Sequence, residues 1–132
     1  NALERYEEAI EDYSQAIELH PEYMSAIGNK AEAHILLDEF DQAREHARKA
    51  RTHSDSVDDQ AVSAKLELIA AIALGDETET LEEEYRNLCD ETFTVTWNFE
   101  KIDSWIEETD IDEEKRERIA DLTDLLRKHK ED

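Results

Sequence analysis

The chain holds two glycines, one proline and one cysteine among 132 residues, and each scarcity excludes something. So few turn formers leave a protein of β-hairpins with too few corners, while long stretches rich in Ala, Leu, Glu and Ile favour helix. Cys89 has no second cysteine with which to close an intrachain disulfide, which fits a reducing compartment. No apolar run approaches the ~20 residues that span a bilayer, and the start lacks the basic-then-apolar layout of a secretory signal. The expectation is a soluble, cytoplasmic, all-α protein of one domain, long enough for about six or seven helices.

Positive charge is scarce too: 15 Lys and Arg stand against 37 Asp and Glu, a net charge of −22. Nucleic-acid phosphates and anionic membrane surfaces are repelled by such a chain, so neither is expected as a partner. Two readings of the acid stand. One is a solvated surface, of ordinary acidic character or adapted to a salt-rich, halophilic cytoplasm; the other is a docking face for a basic peptide or protein.

Signatures of chemistry are missing as well. The sequence has no Gly-rich phosphate loop, no nucleophile elbow and no Ser, His and Asp set in a recognisable local context, so no enzyme and no cofactor is expected. His46 and His53 lie two helical turns apart, but the sequence places no third ligand beside them and contains no His-x-x-x-His pair, so no metal site is expected. The acidic stretch at residues 110–114 lacks the glycine and ligand alternation of a calcium loop and reads as a capped helix start.

What is present is a self-match at a lag of 34 residues, in which Tyr6, Ala9 and Ala16 recur as Phe40, Ala43 and Ala50. A period in the mid-thirties marks stacked helical hairpins. Leu3, Tyr6, Ala9, Ile10, Tyr13, Ala16 and Ile17 form one helical face ending at Pro21. Further helices are predicted over about 23–37, 40–52, 59–74 and 77–89. Asp38 and Glu39 make a short turn, 54–59 a loop whose last acids cap the next helix, and Gly75 a left-handed stop. The run from Leu66 to Leu74 is apolar almost all round and should be the most buried element. Residues 92–97 alternate and are β-branched, as in a strand, yet a strand has no visible partner in a helical chain. Helix is therefore favoured there, continued by Phe99, Ile102, Trp105 and Ile106. A last helix over about 112–130 carries acids at its start and Arg127, Lys128 and Lys130 at its end, as the helix dipole prefers. Trp97 and Trp105, with Phe93 and Phe99, read as terminal core.

From Tyr6 to Val57 the chain resembles the tetratricopeptide repeat. Tyr6, Ala9, Tyr13, Ala16 and Pro21 match the second-helix pattern of one unit, and Phe40, Ala43, Ala47 and Ala50 that of the next. Ala31 occupies the small position and His34 the aromatic position of the intervening first helix. Ile27 stands where Trp is common, Asp55 takes the proline position, and the third unit matches loosely. The resemblance implies a right-handed superhelix of hairpins over residues 1–90, with the first unit incomplete at its amino-terminal edge. Residues 91–132 form a divergent helical pair or cap of the same domain, covering the end of the stack. It also implies a concave groove for a peptide or protein segment, lined by Ser25, Gly28, Asn29, Glu32 and Leu36 in one unit and by Val62, Lys65, Ile69 and Ile72 in the next. Asn29 falls where peptide-binding members hydrogen-bond peptide backbone. The basic residues that capture an acidic carboxyl terminus in some members are absent, so a basic or apolar ligand is expected. The expected function is a non-enzymatic scaffold or adaptor, with structural self-association as the alternative.

Overall fold

The computed structural model describes residues 2–21 and 24–130, and the described residues form seven helices and no strand. These are α1 (Ala2–Leu19), α2 (Met24–Leu36), α3 (Phe40–His53), α4 (Val57–Leu74), α5 (Glu79–Cys89), α6 (Glu100–Glu108) and α7 (Glu113–Arg127). The expected start of α2 at Tyr23 lies outside the described residues.

Each of the first four helices packs on the next, and α2 also touches α4, the neighbour relations of a hairpin stack. Small residues set the spacing: Ala43, Ala47 and Ala50 form the fully buried stripe of α3, and Ala31 of α2, Ala61 and Ala64 of α4 are equally inaccessible. With only methyl groups between them, the helix axes approach closely. Their counterparts Ala9 and Ala16 are half-buried, because among the described elements α1 packs only against α2. Tyr6 and Phe40, one repeat apart, both lie on the Trp105 side of the molecule: Tyr6 lines a pocket that Trp105 also lines, and Phe40 meets Trp105 edge-on at 6.0 Å between ring centroids.

Apolar residues all round α4 make it the centre of the molecule, touching α2, α3, α5 and α7. It begins at Val57, earlier than expected. Asp58 and Asp59 therefore sit within its first turn rather than before it, where they still face the positive end of the helix dipole.

Two of the helices end alike. At α4 the N–H of Gly75 (φ +79°) donates to the Ile72 carbonyl and that of Asp76 to Ala71; at α2 the N–H of Asp38 (φ +60°) donates to Ile35 and that of Glu39 to His34. Both are 6→1, 5→2 helix stops that place one residue in the left-handed region. Glycine fills it in one case, and an aspartate in the other.

The expectation of helix over 92–97 is overturned. Residues 92–99 are non-helical, and from Phe93 to Phe99 burial alternates strictly, with Thr94, Thr96 and Asn98 exposed and the odd-numbered residues turned inward. That period of two belongs to extended backbone. The missing partner is the far end of the chain: the Val95 N–H donates to the His129 carbonyl at 2.9 Å, and Val95 forms a parallel bridge with Lys130.

Beyond this segment α6 lies on α2 and α7, and α7 on α4 and α5. The segment and α6 together form a strap that crosses from α5 back to α2. No helix among the described residues is long and apolar enough to cross a membrane.

Candidate functional site

The strap decides what becomes of the groove positions. Glu32, Lys65 and Ile69, with Ile72, were expected to line an open trough, but they are buried, Lys65 completely. This corrects the sequence expectation, and the physical reason is the apolar load of the strap: Val95, Phe99, Ile102 and Trp105 are buried in the same core as Ile69 and Ile72. The Lys65 ammonium lies 5.3 Å from the Trp97 ring centroid and 4.9 Å from that of Phe99, close enough for cation–π attraction.

Buried charge leaves its mark here. Burial raises the Glu32 carboxyl from its ordinary 4.5 to about 7, only partly opposed by Lys65 and Lys101. It lowers Lys65 from 10.5 to about 8, which Glu32 and Asp103 oppose and Arg127 reinforces. Glu32 Oε2, Lys65 Nζ and the Trp97 indole Nε1 are all buried without a hydrogen-bond partner among the described residues.

At either end of this covered stretch the groove positions line pockets. Gly28, Asn29 and Val62 converge on a cleft of about 320 Å³ between α2, the first turns of α4 and the strap. Asp58 and Asp59 stand on its α4 side, Thr96, Trp97 and Asn98 on its strap side, and no basic side chain lines it among the described residues. Leu36 lies apart, in a second pocket of about 400 Å³ with Leu3, Tyr6 and Trp105. Ser25 falls in the first turn of α2, and its side chain lies outside the described residues. The predicted set thus divides three ways: an open cleft, a covered middle and a separate pocket.

The strap is pinned at several points. Trp105 Nε1 donates to Asp38 Oδ1 at 2.9 Å. Arg127 holds Asp103 with two nitrogens at 3.0 and 2.7 Å. His129 stacks on Phe93 at 3.9 Å and reaches the Cys89 and Phe93 carbonyls at 2.7 and 3.1 Å. Thr96, Trp97 and Asn98 were missed as cleft walls. The strand-like alternation of 92–97 was the available signal, since it turns Thr96 and Asn98 outward. The anchor between Trp105 and Asp38, 67 residues apart, has no local signal at all.

A third pocket, about 430 Å³, contains Arg44, Arg48 and Arg51. These cations are already engaged. Arg48 and Arg51 fork onto the buried Glu67 at 3.1 and 2.7 Å, Arg51 reaches Glu84 at 3.1 Å, and Arg44 pairs with Asp76. They tie α3 to α4 and α5, each already paired with a carboxylate. The two histidines considered as ligands are not paired with each other: His46 stacks on His34 at 5.3 Å, and His53 is exposed.

Antiparallel helices stacked in sequence, with a recurring alanine stripe, define a helical-repeat scaffold. Residues 2–66 match the family model of the tetratricopeptide repeat. Repeats of this kind generally serve as non-enzymatic scaffolds for protein–protein interaction. No curated protein and no solved structure matches the chain.

Proposed function

We propose that this protein is a non-enzymatic adaptor holding a segment of a partner protein in the cleft between α2, α4 and the strap, with residues 91–132 acting as a cap of the same domain. One observation carries the reading: Gly28, Asn29 and Val62, from two successive repeat units, share one open cleft whose charged side chains, among the described residues, are all acidic. Convergent polar groups beside an apolar wall suit a ligand that must be oriented as well as held. The acid on the cleft, added to the net charge of −22, favours a basic or apolar segment over an acidic one.

The test is selection of a phage-displayed peptide library on the immobilised protein, with the recovered peptides measured again on Asn29→Ala and on Val62→Arg, which fills the cleft. At least tenfold weaker binding to both variants is expected. Peptides that bind the variants as they bind wild type place recognition elsewhere.

Self-association is the second reading, favoured by the large apolar side chains that α1 leaves exposed, Leu3 at 56 % and Leu19 at 76 %. Sedimentation velocity from micromolar to millimolar protein separates it from the first. A monomer throughout, in low and in molar salt, removes it.

A further inference from the structure

We infer that the cleft captures its ligand by strand addition: an extended, basic segment of a partner protein pairs through its main chain with the free edge of residues 94–98. The inference rests on the adaptor reading above and names its binding mode. Three independent features support it.

The first is the backbone. Along extended chain, successive N–H and C=O groups point to opposite edges. Val95 spends one edge on the carboxy-terminal tail, through its bond to His129 and its bridge to Lys130. The other edge carries the main-chain groups of Thr94 and Thr96, which make no hydrogen bond to any described residue. An unpaired edge of this kind is a template for another strand. Thr96 and Asn98 place it along the cleft.

Gly28 supplies the second feature. It lies inside α2, where glycine is a poor helix former, and nothing in the fold requires it: a Cβ built there meets no atom within 4 Å, and its φ lies outside the left-handed region. Alanine fits the folded protein and suits the helix better. A glycine retained at the mouth of a cleft is what a close-approaching main chain needs, because it leaves room for a backbone where a side chain would stand.

Charge is the third. Asp58 and Asp59 line the cleft opposite the strap, and no cation among the described residues lines it with them. A bound strand presents alternate side chains to one wall, so lysine or arginine at alternate positions would meet both acids.

The probe is a fluorescent heptapeptide alternating lysine with valine and threonine, compared with its glutamate counterpart by fluorescence anisotropy on the full chain. The lysine peptide is expected to bind at least tenfold more tightly. Thr96→Pro removes the free N–H at a position that bonds no other described residue, so it should weaken binding at least tenfold, and clearly more than Thr96→Ala, which trims the same side chain and keeps the N–H. Gly28→Ala should raise the melting midpoint by about 2–4 °C and still weaken the peptide at least tenfold.

No binding of the lysine peptide, equal binding of the two peptides, full binding by Thr96→Pro, or full binding by Gly28→Ala each overturns strand addition. Circular dichroism on every variant shows whether a loss reflects unfolding. The parent reading fails separately: library peptides that lose binding on Asn29→Ala and Val62→Arg, yet ignore Thr96→Pro, keep the adaptor and remove the strand.

Discussion

Asp38 shows how one residue can serve two levels of structure at once. Its left-handed backbone ends α2 at a position where glycine is the default, and its carboxylate accepts from the Trp105 indole at 2.9 Å, joining the second helix to the sixth. Glycine would relieve the backbone and lose the anchor, whereas asparagine tolerates the same conformation and keeps a carbonyl acceptor. Asp38→Gly should therefore be less stable than Asp38→Asn by about 1 kcal/mol in urea denaturation, against the order that helix-stop preference alone gives. A glycine variant at least as stable as the asparagine variant would contradict the anchor.

The buried pair under the strap gives a second residue-scale prediction, in pH. Glu32 binds more protons folded than unfolded between its ordinary 4.5 and about 7, so its contribution is full below that window and is lost as pH rises through it. Lys65 binds fewer protons folded than unfolded between about 8 and 10.5, so its contribution is full above that window and is lost as pH falls toward 8. Together they place a minimum near pH 7–8. His46 works against Glu32: burial, Lys30, His34 and Lys49 lower it from 6.5 to about 4 against Glu45, so its contribution is lost as pH falls through that range. Comparison with Glu32→Gln isolates the first effect. The variant should gain stability relative to wild type between pH 5 and pH 8, and a difference independent of pH would contradict the burial account.

At the scale of elements, the extended segment should be stable in one direction only. Among its amides, Val95 is bonded and buried, while Thr94 and Thr96 are exposed and unpaired. Hydrogen exchange read by NMR should therefore show Val95 protected by at least tenfold over both neighbours, and α4 the slowest element of the molecule. Uniform exchange from Thr94 to Thr96 would argue against the pairing with the tail.

The helices themselves were largely readable from sequence. Periodicity located α1 to α5, because their faces meet sequential neighbours and local spacing carries the signal. The 34-residue recurrence found the alanine stripe for the same reason. The strap was not readable, since the choice between strand and helix at 92–97 turned on a partner thirty-odd residues away at the tail. Its alternation was visible; its pairing was not. That one misreading propagated to the site. A helix there leaves the trough open, whereas an extended segment carries Val95 and Phe99 into the core and covers Glu32, Lys65 and Ile69. Asn29 and Val62 stay half-buried and share a cleft with the buried Gly28, because the strap borders them there through Thr96, Trp97 and Asn98 instead of covering them.

For the molecule as a whole, a net charge of −22 acts on folding and on binding with opposite signs. Compaction brings like charges together, so folding is opposed by self-repulsion that salt relieves as the screening length falls from about 30 Å at 0.01 M to about 10 Å at 0.1 M. The Arg48 and Arg51 fork onto Glu67 resists this screening, because the glutamate side chain is only 4 % exposed. The melting midpoint should therefore rise with sodium chloride from 10 mM to 1 M, steeply at first and then flattening once the charges are screened. Binding of the lysine peptide should weaken over the same series, by about tenfold or more between 20 and 200 mM, because the field that draws a basic segment to Asp58 and Asp59 is screened by the same ions. The two trends must cross: salt that strengthens the scaffold loosens its grip. If the midpoint and the affinity rise together, the acid is not the attractive element of the cleft, and contact with Val62 and Trp97 holds the ligand instead.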